Sequence, residues 1–259
     1  MKRIVLGDTH GRYDVIEEIY NIENPDEVIL LGDYCDNYTN DTSVVVESYK
    51  KIRKLQKEHQ SGMFITLLGN HDWHYIDASE RYSGYNANTW RILHQTIQSD
   101  FDAGQLPIVY IDNVNKTIYA HAGLTKTWLK KWDIENLEDI ANVNTRGLRF
   151  NPGDVWDMYG NSKWQGPLWV RPGALSTDIY GDGEWTQVVG HTRSRNGTPM
   201  LVKTPGCEQT NDVNDATIIV IDTLPWTYLR ETFDENSKLV SREIVKHKEF
   251  KFNKNDTLQ

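Results

Sequence analysis

One local pattern, repeated along the chain, limits what it can fold into. An apolar run, Val28-Ile29-Leu30-Leu31, ends at Gly32-Asp33-Tyr34-Cys35-Asp36-Asn37. The run does not alternate apolar with polar, so it reads as a strand buried on both faces, as in a parallel sheet. Gly32 lets the chain leave the strand sharply and puts Asp33 at its carboxyl end. The same grammar precedes Gly7-Asp8-Thr9-His10-Gly11 and Gly69-Asn70-His71-Asp72. It returns, with histidine as the polar residue, at Ala120-His121-Ala122-Gly123 and Gly190-His191-Thr192. Polar, metal-competent side chains are thus delivered to the strand edge where open α/β folds place ligands.

Between these strands the periodicity becomes helical. Ile16, Ile19 and Tyr20 mark a short helix over 13–22, stopped by Asn24-Pro25-Asp26. Val45, Tyr49, Ile52 and Leu55 mark a second helix, with Ser43 as the expected cap. The first three strands and these helices make two β-α-β units. A loop with room for a helical turn is expected over 73–87, a helix over 89–101, paired strands over 106–111 and 117–121, and a helix over 125–142. Segment 151–185 carries Pro, Gly and many aromatics (Trp156, Tyr159, Trp164, Trp169, Tyr180, Trp185) and reads as an irregular cover over the site. The later part is strand-rich, with a hairpin turn at Asp234-Glu235-Asn236. The expected architecture is α/β (α+β): one domain over 1–245, a four-layer sandwich of two mixed sheets flanked by helices, followed by a charged tail over 246–259.

Composition narrows the partners. A formal charge of -9 argues against a broad nucleic-acid or membrane surface, and even two bound divalent cations would leave the balance acidic. No apolar run approaches the roughly 20 residues of a membrane span. The apolar stretch after Met1-Lys2-Arg3 is too short for a secretory leader, and Cys35 and Cys207 suggest no disulfide framework, so a cytoplasmic setting is expected.

Asp8, His10, Asp33, Asn70, His71, His121 and His191 offer oxygen and nitrogen donors without thiolate, a set suited to Mn, Fe, Zn or Mg. A carboxylate such as Asp33 can bridge two cations. Such a pair clamps a phosphoryl group and holds a hydroxide for in-line attack, and a nearby imidazolium can protonate the leaving oxygen. Taken singly, each motif reads as an ordinary turn or a core histidine; the ordered set points to phosphoester hydrolysis. His59, His74, His94 and His247 read as surface or core residues.

As an ordered set, these motifs resemble the signature of the calcineurin-like metallophosphoesterases. Leu168-Trp169-Val170-Arg171-Pro172 and Ile221-Asp222-Thr223 resemble its serine/threonine phosphoprotein phosphatase branch, in particular the bacterial and bacteriophage members. The resemblance implies two divalent metal ions, Mn first, with Fe, Zn, Ni or Mg as alternatives. Asp8, His10 and Asp33 would hold one; Asp33, Asn70, His121 and His191 would hold the other. His71 would protonate the leaving group, Asp36 would orient His71, and Arg171 would grip the phosphate. The implied substrate is a phosphorylated protein or a small phosphoester.

Two positions depart from that pattern. Asn37 stands where it has Arg, and Asp72 where it usually has Glu. Arg12 or Arg193 could supply the missing cation, or either could be a solvated surface residue. Cys35 reads as a small buried side chain beside the cluster. A nucleotide-type substrate remains the alternative, with the 156–185 aromatics stacking a base rather than packing as a lid. A non-enzymatic binding module on a decayed scaffold is a third reading.

Overall fold

The computed structural model describes residues 1–37, 41–59, 62–151, 157–194, 196–204 and 206–248. One mixed sheet contains β1 (Lys2–Leu6), β2 (Glu27–Leu30), β3 (Phe64–Thr66), β10 (Thr227–Phe233) and β11 (Leu239–Lys246), in the order β11-β10-β1-β2-β3. The other contains β4 (Val109–Asp112), β5 (Thr117–Ala120), β6 (Thr186–Val189), β7 (Met200–Lys203), β8 (Glu208–Gln209) and β9 (Ile218–Val220), in the order β4-β5-β6-β9-β7-β8. Each sheet is built round three parallel strands: β1, β2 and β3 in the first, and β5, β6 and β9 in the second.

Strand alternation sets the layers. Val5 of β1 and Ile29 of β2 join Leu31, Leu67, Tyr119, Val188, Ile219 and Leu229 in a core between the sheets. Their neighbours Ile4, Leu6, Val28 and Leu30 turn the other way. They pack with Ile16 and Ile19 of α1 (Tyr13–Glu23) and with Val45, Tyr49 and Ile52 of α2 (Thr42–Glu58). β2 is therefore covered on both faces, as its unbroken apolar run requires. Beyond the second sheet, Val189, Val202, Ile218 and Val220 meet Ala174 and Leu175 of α6 (Pro172–Thr177). The result is the expected order of helix, sheet, sheet, helix.

Several local expectations change. α2 is capped by Asp41, whose carboxylate accepts from the backbone N–H of Ser43 and Val44, rather than by Ser43. The helical turn allowed in the 73–87 loop is the end of helix α3 (Asn70–Ile76), which starts earlier because the Asp72 carboxylate accepts the Gly69 N–H and closes the first turn. α4 (Ala87–Asp102) follows, opened by the Asn86 side chain. The single helix expected over 125–142 is α5 (Lys126–Lys131) and then a 3₁₀ turn, Leu137–Asn142, since Asp133 turns left-handed at φ 52° and ends the first. Of segment 151–185, residues 152–156, Trp156 among them, lie outside the described residues; the described part is irregular except for α6. The 234–236 turn forms as expected, with Asp234 accepting from Asn236 and Lys238 N–H. Most of the expected tail, from residue 249 on, also lies outside the described residues. Among the described residues, no helix is long and apolar enough to cross a membrane.

A buried polar clamp ties the sheets together at the end away from the motif loops. Glu231 of β10, fully buried, accepts from the Tyr119 hydroxyl of β5 at 2.5 Å and from Arg242 Nε of β11 at 2.9 Å. Arg242 also reaches Thr117 Oγ1 at 2.7 Å, and Arg3 of β1 lies against the same Glu231 carboxylate. Removing one partner from such a buried group strands the others' charge. Glu231→Ala should therefore lower unfolding stability by roughly 3 kcal/mol or more, read from urea denaturation midpoints. A change within about 0.5 kcal/mol would mean the clamp holds nothing together.

Candidate metal centre

The motif loops all leave the carboxyl ends of the six parallel strands. Asp8 and His10 follow β1, Asp33 and Asp36 follow β2, and Asn70 and His71 follow β3. His121 follows β5, His191 follows β6, and Asp222 follows β9. The two sheets approach so closely here that the glycines are needed for space as much as for turning. A Cβ on Gly69 would lie 2.2 Å from Asp33 Oδ1, and one on Gly190 would lie 2.2 Å from Asp8 Oδ1. Each glycine makes room for the ligand of another strand. Backbone strain gathers at the same place: His10, Asp33 and His191 are left-handed, with φ of 45°, 58° and 61°. Non-glycine residues held in that region tend to cluster at functional sites.

The loops are cross-braced by main-chain bonds. Asp33 O accepts from His10 N at 2.7 Å and from Thr9 Oγ1 at 3.1 Å. Asp72 collects the N–H groups of Asp33, Tyr34 and Cys35, besides that of Gly69. Asp72 thus locks the Asp33 loop to α3, a role its shortened side chain did not suggest.

The predicted donors converge. Asp8, His10 and Asp33 place donor atoms within 4.8 Å of one another. Asn70 Oδ1 lies 2.7 Å from His121 Nε2 and 2.9 Å from His191 Nδ1. Asp33 stands between the groups: its Oδ2 lies 3.9 Å from His10 Nε2 and 3.5 Å from His121 Nε2. Its other oxygen is occupied by the His71 N–H at 2.8 Å.

Protonation explains what this arrangement wants. A carbonyl can only accept, so each histidine spends its N–H on one: His121 Nδ1 on Leu31 O, His191 Nε2 on Trp169 O, and His10 Nδ1 on Asp36 O. The other nitrogen of each then carries a lone pair into the cluster. Burial holds all three rings neutral, taking His121 down to about 3. Burial and then mutual repulsion raise the carboxyls of Asp8, beside Asp222, and Asp33, beside Asp8. Converging lone pairs and crowded, buried carboxyls favour a cation, and this donor set fits two divalent ions.

Beside the cluster, His71 Nδ1 lies 2.7 Å from Asp36 Oδ2, and the His71 ring sits 5.3 Å from that of His10. Burial alone would raise the Asp36 carboxyl, but hydrogen bonding from His71 and His74 outweighs it and takes the group down to about 2. Arg171 donates from Nη1 to His191 O at 2.9 Å and to Thr192 Oγ1 at 3.2 Å, which sets its guanidinium at the rim of the cluster. Asn37 lies against Gly11. Arg12 and Arg193 both act on the buried Asp222, which burial raises to about 6 against their pull. Arg193 also sits 5.6 Å over the Trp226 ring. Trp169 is buried among Tyr82, Phe150 and His191, so at that residue the aromatic segment packs as a cover rather than presenting a free face.

Sequence reasoning gave Asp222 no role beyond the motif that carried the resemblance, read His74 as a surface or core residue, of which the structure shows the second, and did not single out Tyr75. Asp222 follows an apolar strand as the other ligands do, but without the glycine that drew attention to them. Tyr75 donates to Asp36 Oδ1 at 2.5 Å, and the fully buried His74 places Nε2 2.8 Å from Asp36 Oδ2. The Cys35 thiol is buried, as expected.

A cation entering this site must displace protons that Asp8 and Asp33 hold above the ordinary carboxyl range. Those protons favour the metal-free fold at low pH, and that advantage is lost as pH rises through the folded-state values. Metal binding should therefore strengthen with pH. The rise in Tm on adding Mn²⁺ should be larger at about pH 7.5 than at about pH 5.5. Equal rises at both would contradict the assigned proton competition.

Comparison with known proteins places the chain in a family. The family model for calcineurin-like phosphoesterases matches residues 1–237. A symmetrical bis(5'-nucleosyl)-tetraphosphatase from Baumannia cicadellinicola is 27% identical over 153 residues, 55% of this chain and 49% of that protein. One of the same description from Klebsiella pneumoniae is 26% identical over 153 residues, 54% of this chain and 48% of the relative. The chain thus spans about half the length of these curated relatives. In fold it is similar to a protein serine/threonine phosphatase from Saccharomyces cerevisiae, with TM-score 0.58 at 13% identity, covering 98% of this chain and 82% of that one. It is also similar to a metallophosphoesterase from Sphaerobacter thermophilus, with TM-score 0.52 at 15% identity, covering 95% and 88%. The chain belongs to the calcineurin-like phosphoesterases, metal-dependent phosphoester hydrolases.

Proposed function

We propose that this protein is a dinuclear metal-dependent phosphomonoesterase acting on phosphorylated proteins or small phosphate esters. The observation that carries the reading is the placement of Asp33 Oδ2 between the two donor groups, with the His71–Asp36 pair alongside. Asp8, His10 and Asp33 would hold one cation, and Asp33, Asn70, His121 and His191 the other. Bound there, two divalent ions, Mn²⁺ foremost, would neutralise phosphoryl charge and supply a nucleophile from water at neutral pH.

The chain's own groups do the rest. Arg171, fixed through its bonds to His191 O and Thr192, offers its fork to the phosphate oxygens. Asp36 holds His71 by Nδ1, which leaves Nε2 to give a proton to the departing oxygen as its bond to phosphorus breaks. Trp169 lies edge-on to the His191 ring, with centroids 6.0 Å apart, and so covers one side of it.

A second reading, hydrolysis of a nucleotide-type substrate such as a dinucleoside polyphosphate, is favoured by the activity for which the tetraphosphatase relatives are named and by Arg12 and Arg193. These two cations, gathered about Asp222 beyond Arg171, suit a ligand with more than one phosphoryl group.

Two experiments test these readings. His71→Asn should lower kcat on phosphoserine peptides about 100-fold or more while both cations stay bound; unchanged turnover would remove His71 from its role. The Mn²⁺-loaded protein should turn over a phosphopeptide panel faster than a panel of dinucleoside polyphosphates and cyclic nucleotides. The opposite preference would hand the site to the nucleotide reading.

A further inference from the structure

The group buried behind His71 is larger than a histidine–carboxylate pair needs. Asp36 faces three donors. Tyr75 takes Oδ1 at 2.5 Å, while His71 Nδ1 and His74 Nε2 lie 2.7 Å and 2.8 Å from Oδ2. The last two therefore share one oxygen. His74 is wholly buried; among the described residues neither of its ring nitrogens makes a well-aligned hydrogen bond, and Nε2 meets Asp36 Oδ2 as a close contact at 2.8 Å. Its ring is boxed by the edge of Tyr75 at 4.6 Å, Tyr82 stacked at 6.2 Å and Tyr85 perpendicular at 5.3 Å. Gly84, at φ +85°, brings its backbone so close that a Cβ there would meet Asp36 Oδ2 at 2.8 Å. Asp36 and His74 are thus both buried, with Gly84 and the tyrosines packed about them.

We propose that His74 is a positioning residue for the leaving-group proton donor, fixing the plane of the Asp36 carboxylate, together with Tyr75, so that His71 presents Nε2 toward the reacting ester. The proposal rests on the phosphoester-hydrolase reading and on His71 as its proton donor. A carboxylate bonded to a single imidazole can swing about its Cβ–Cγ bond. One gripped at both oxygens cannot, and the ring it holds inherits that rigidity. The chemistry of the gripping group matters too. His74 lies in an aromatic box where burial keeps the ring neutral, so it can bring an N–H against Asp36 without placing a second positive charge beside His71. A lysine or arginine there would hold Asp36 as firmly but would oppose the proton that His71 must carry.

Leaving-group chemistry separates positioning from mere packing. p-Nitrophenolate departs with little help from a proton, whereas the alkoxide of phosphoserine needs one. Mn²⁺-loaded wild type, His74→Leu and His74→Gln are compared on p-nitrophenyl phosphate and a phosphoserine peptide. His74→Leu, which keeps bulk and loses the donor, should lower kcat on the peptide about 10-fold or more and on the aryl ester less than about 3-fold, with KM and a content of two cations unchanged. His74→Gln, which restores a neutral N–H donor, should recover most of the loss. Nitrogen-15 spectra of the Mg²⁺-loaded wild type should show His74 protonated at Nε2 alone.

Equal losses on both esters, no loss on either, a His74→Gln variant as impaired as His74→Leu, or His74 protonated at Nδ1 would each overturn the positioning role. So would a third tightly held cation lost with His74→Leu, which would make Asp36, His71 and His74 a metal site instead. A wild type inert toward both esters would overturn the phosphomonoesterase reading itself, a result distinguishable from the others.

Discussion

The site depends first on a carboxylate that touches no substrate. Asp72 gathers four backbone N–H groups, three from the Asp33 loop and one from Gly69. Charge-assisted bonds of this kind are stronger than neutral ones, and here they replace water around a wholly buried anion. They hold the Asp33 turn in its left-handed conformation and start helix α3, which carries Asn70, His71 and His74. One interaction therefore sets the spacing between the Asp33 carboxylate, the Asn70 carboxamide and the His71 imidazole. Glutamate, one methylene longer, would have to fold back on itself to reach the same four donors.

Around that anchor the protein assembles an electrostatic problem that a cation solves. Two buried carboxyls, a carboxamide oxygen and three neutral imidazoles converge from both sheets. The N–H of each ring is committed to a backbone carbonyl, so orientation and protonation state are decided before any ligand arrives. Preorganisation of this sort lets a site bind without rearranging its side chains. The opposite end of the sandwich solves its own problem differently, with Glu231 neutralised by arginines from β1 and β11. The apolar layer between the sheets can thus stay free of polar atoms while both ends are polar.

The donor set could be read from the chain because strand ends announce themselves: an apolar run stops, and a polar side chain follows at once. The residues that support the donors could not. Asp72 looked like a deviation, and its use became clear only when the Asp33 loop was seen folded onto it. His74 and Tyr75 sit in Asn70-His71-Asp72-Trp73-His74-Tyr75, a stretch with no apolar periodicity, which argued for a loop. Yet all six side chains are buried, because this helix packs its polar groups against a polar site. Asp222 needed the β6–β9 pairing to bring it beside Asp8. The break at Asp133 has no compositional signal, since a left-handed aspartate within 125–142 reads like any other helix-compatible residue.

The irregular segment before α6 carries two duties within three residues. Trp169 offers the carbonyl that orients His191, and Arg171 reaches back to the His191 carbonyl. A ring and a guanidinium are thereby geared together through a short rigid lever. A movement of that segment would turn the imidazole with it, so under the proposed metal role the cover and the cation's seat are mechanically coupled.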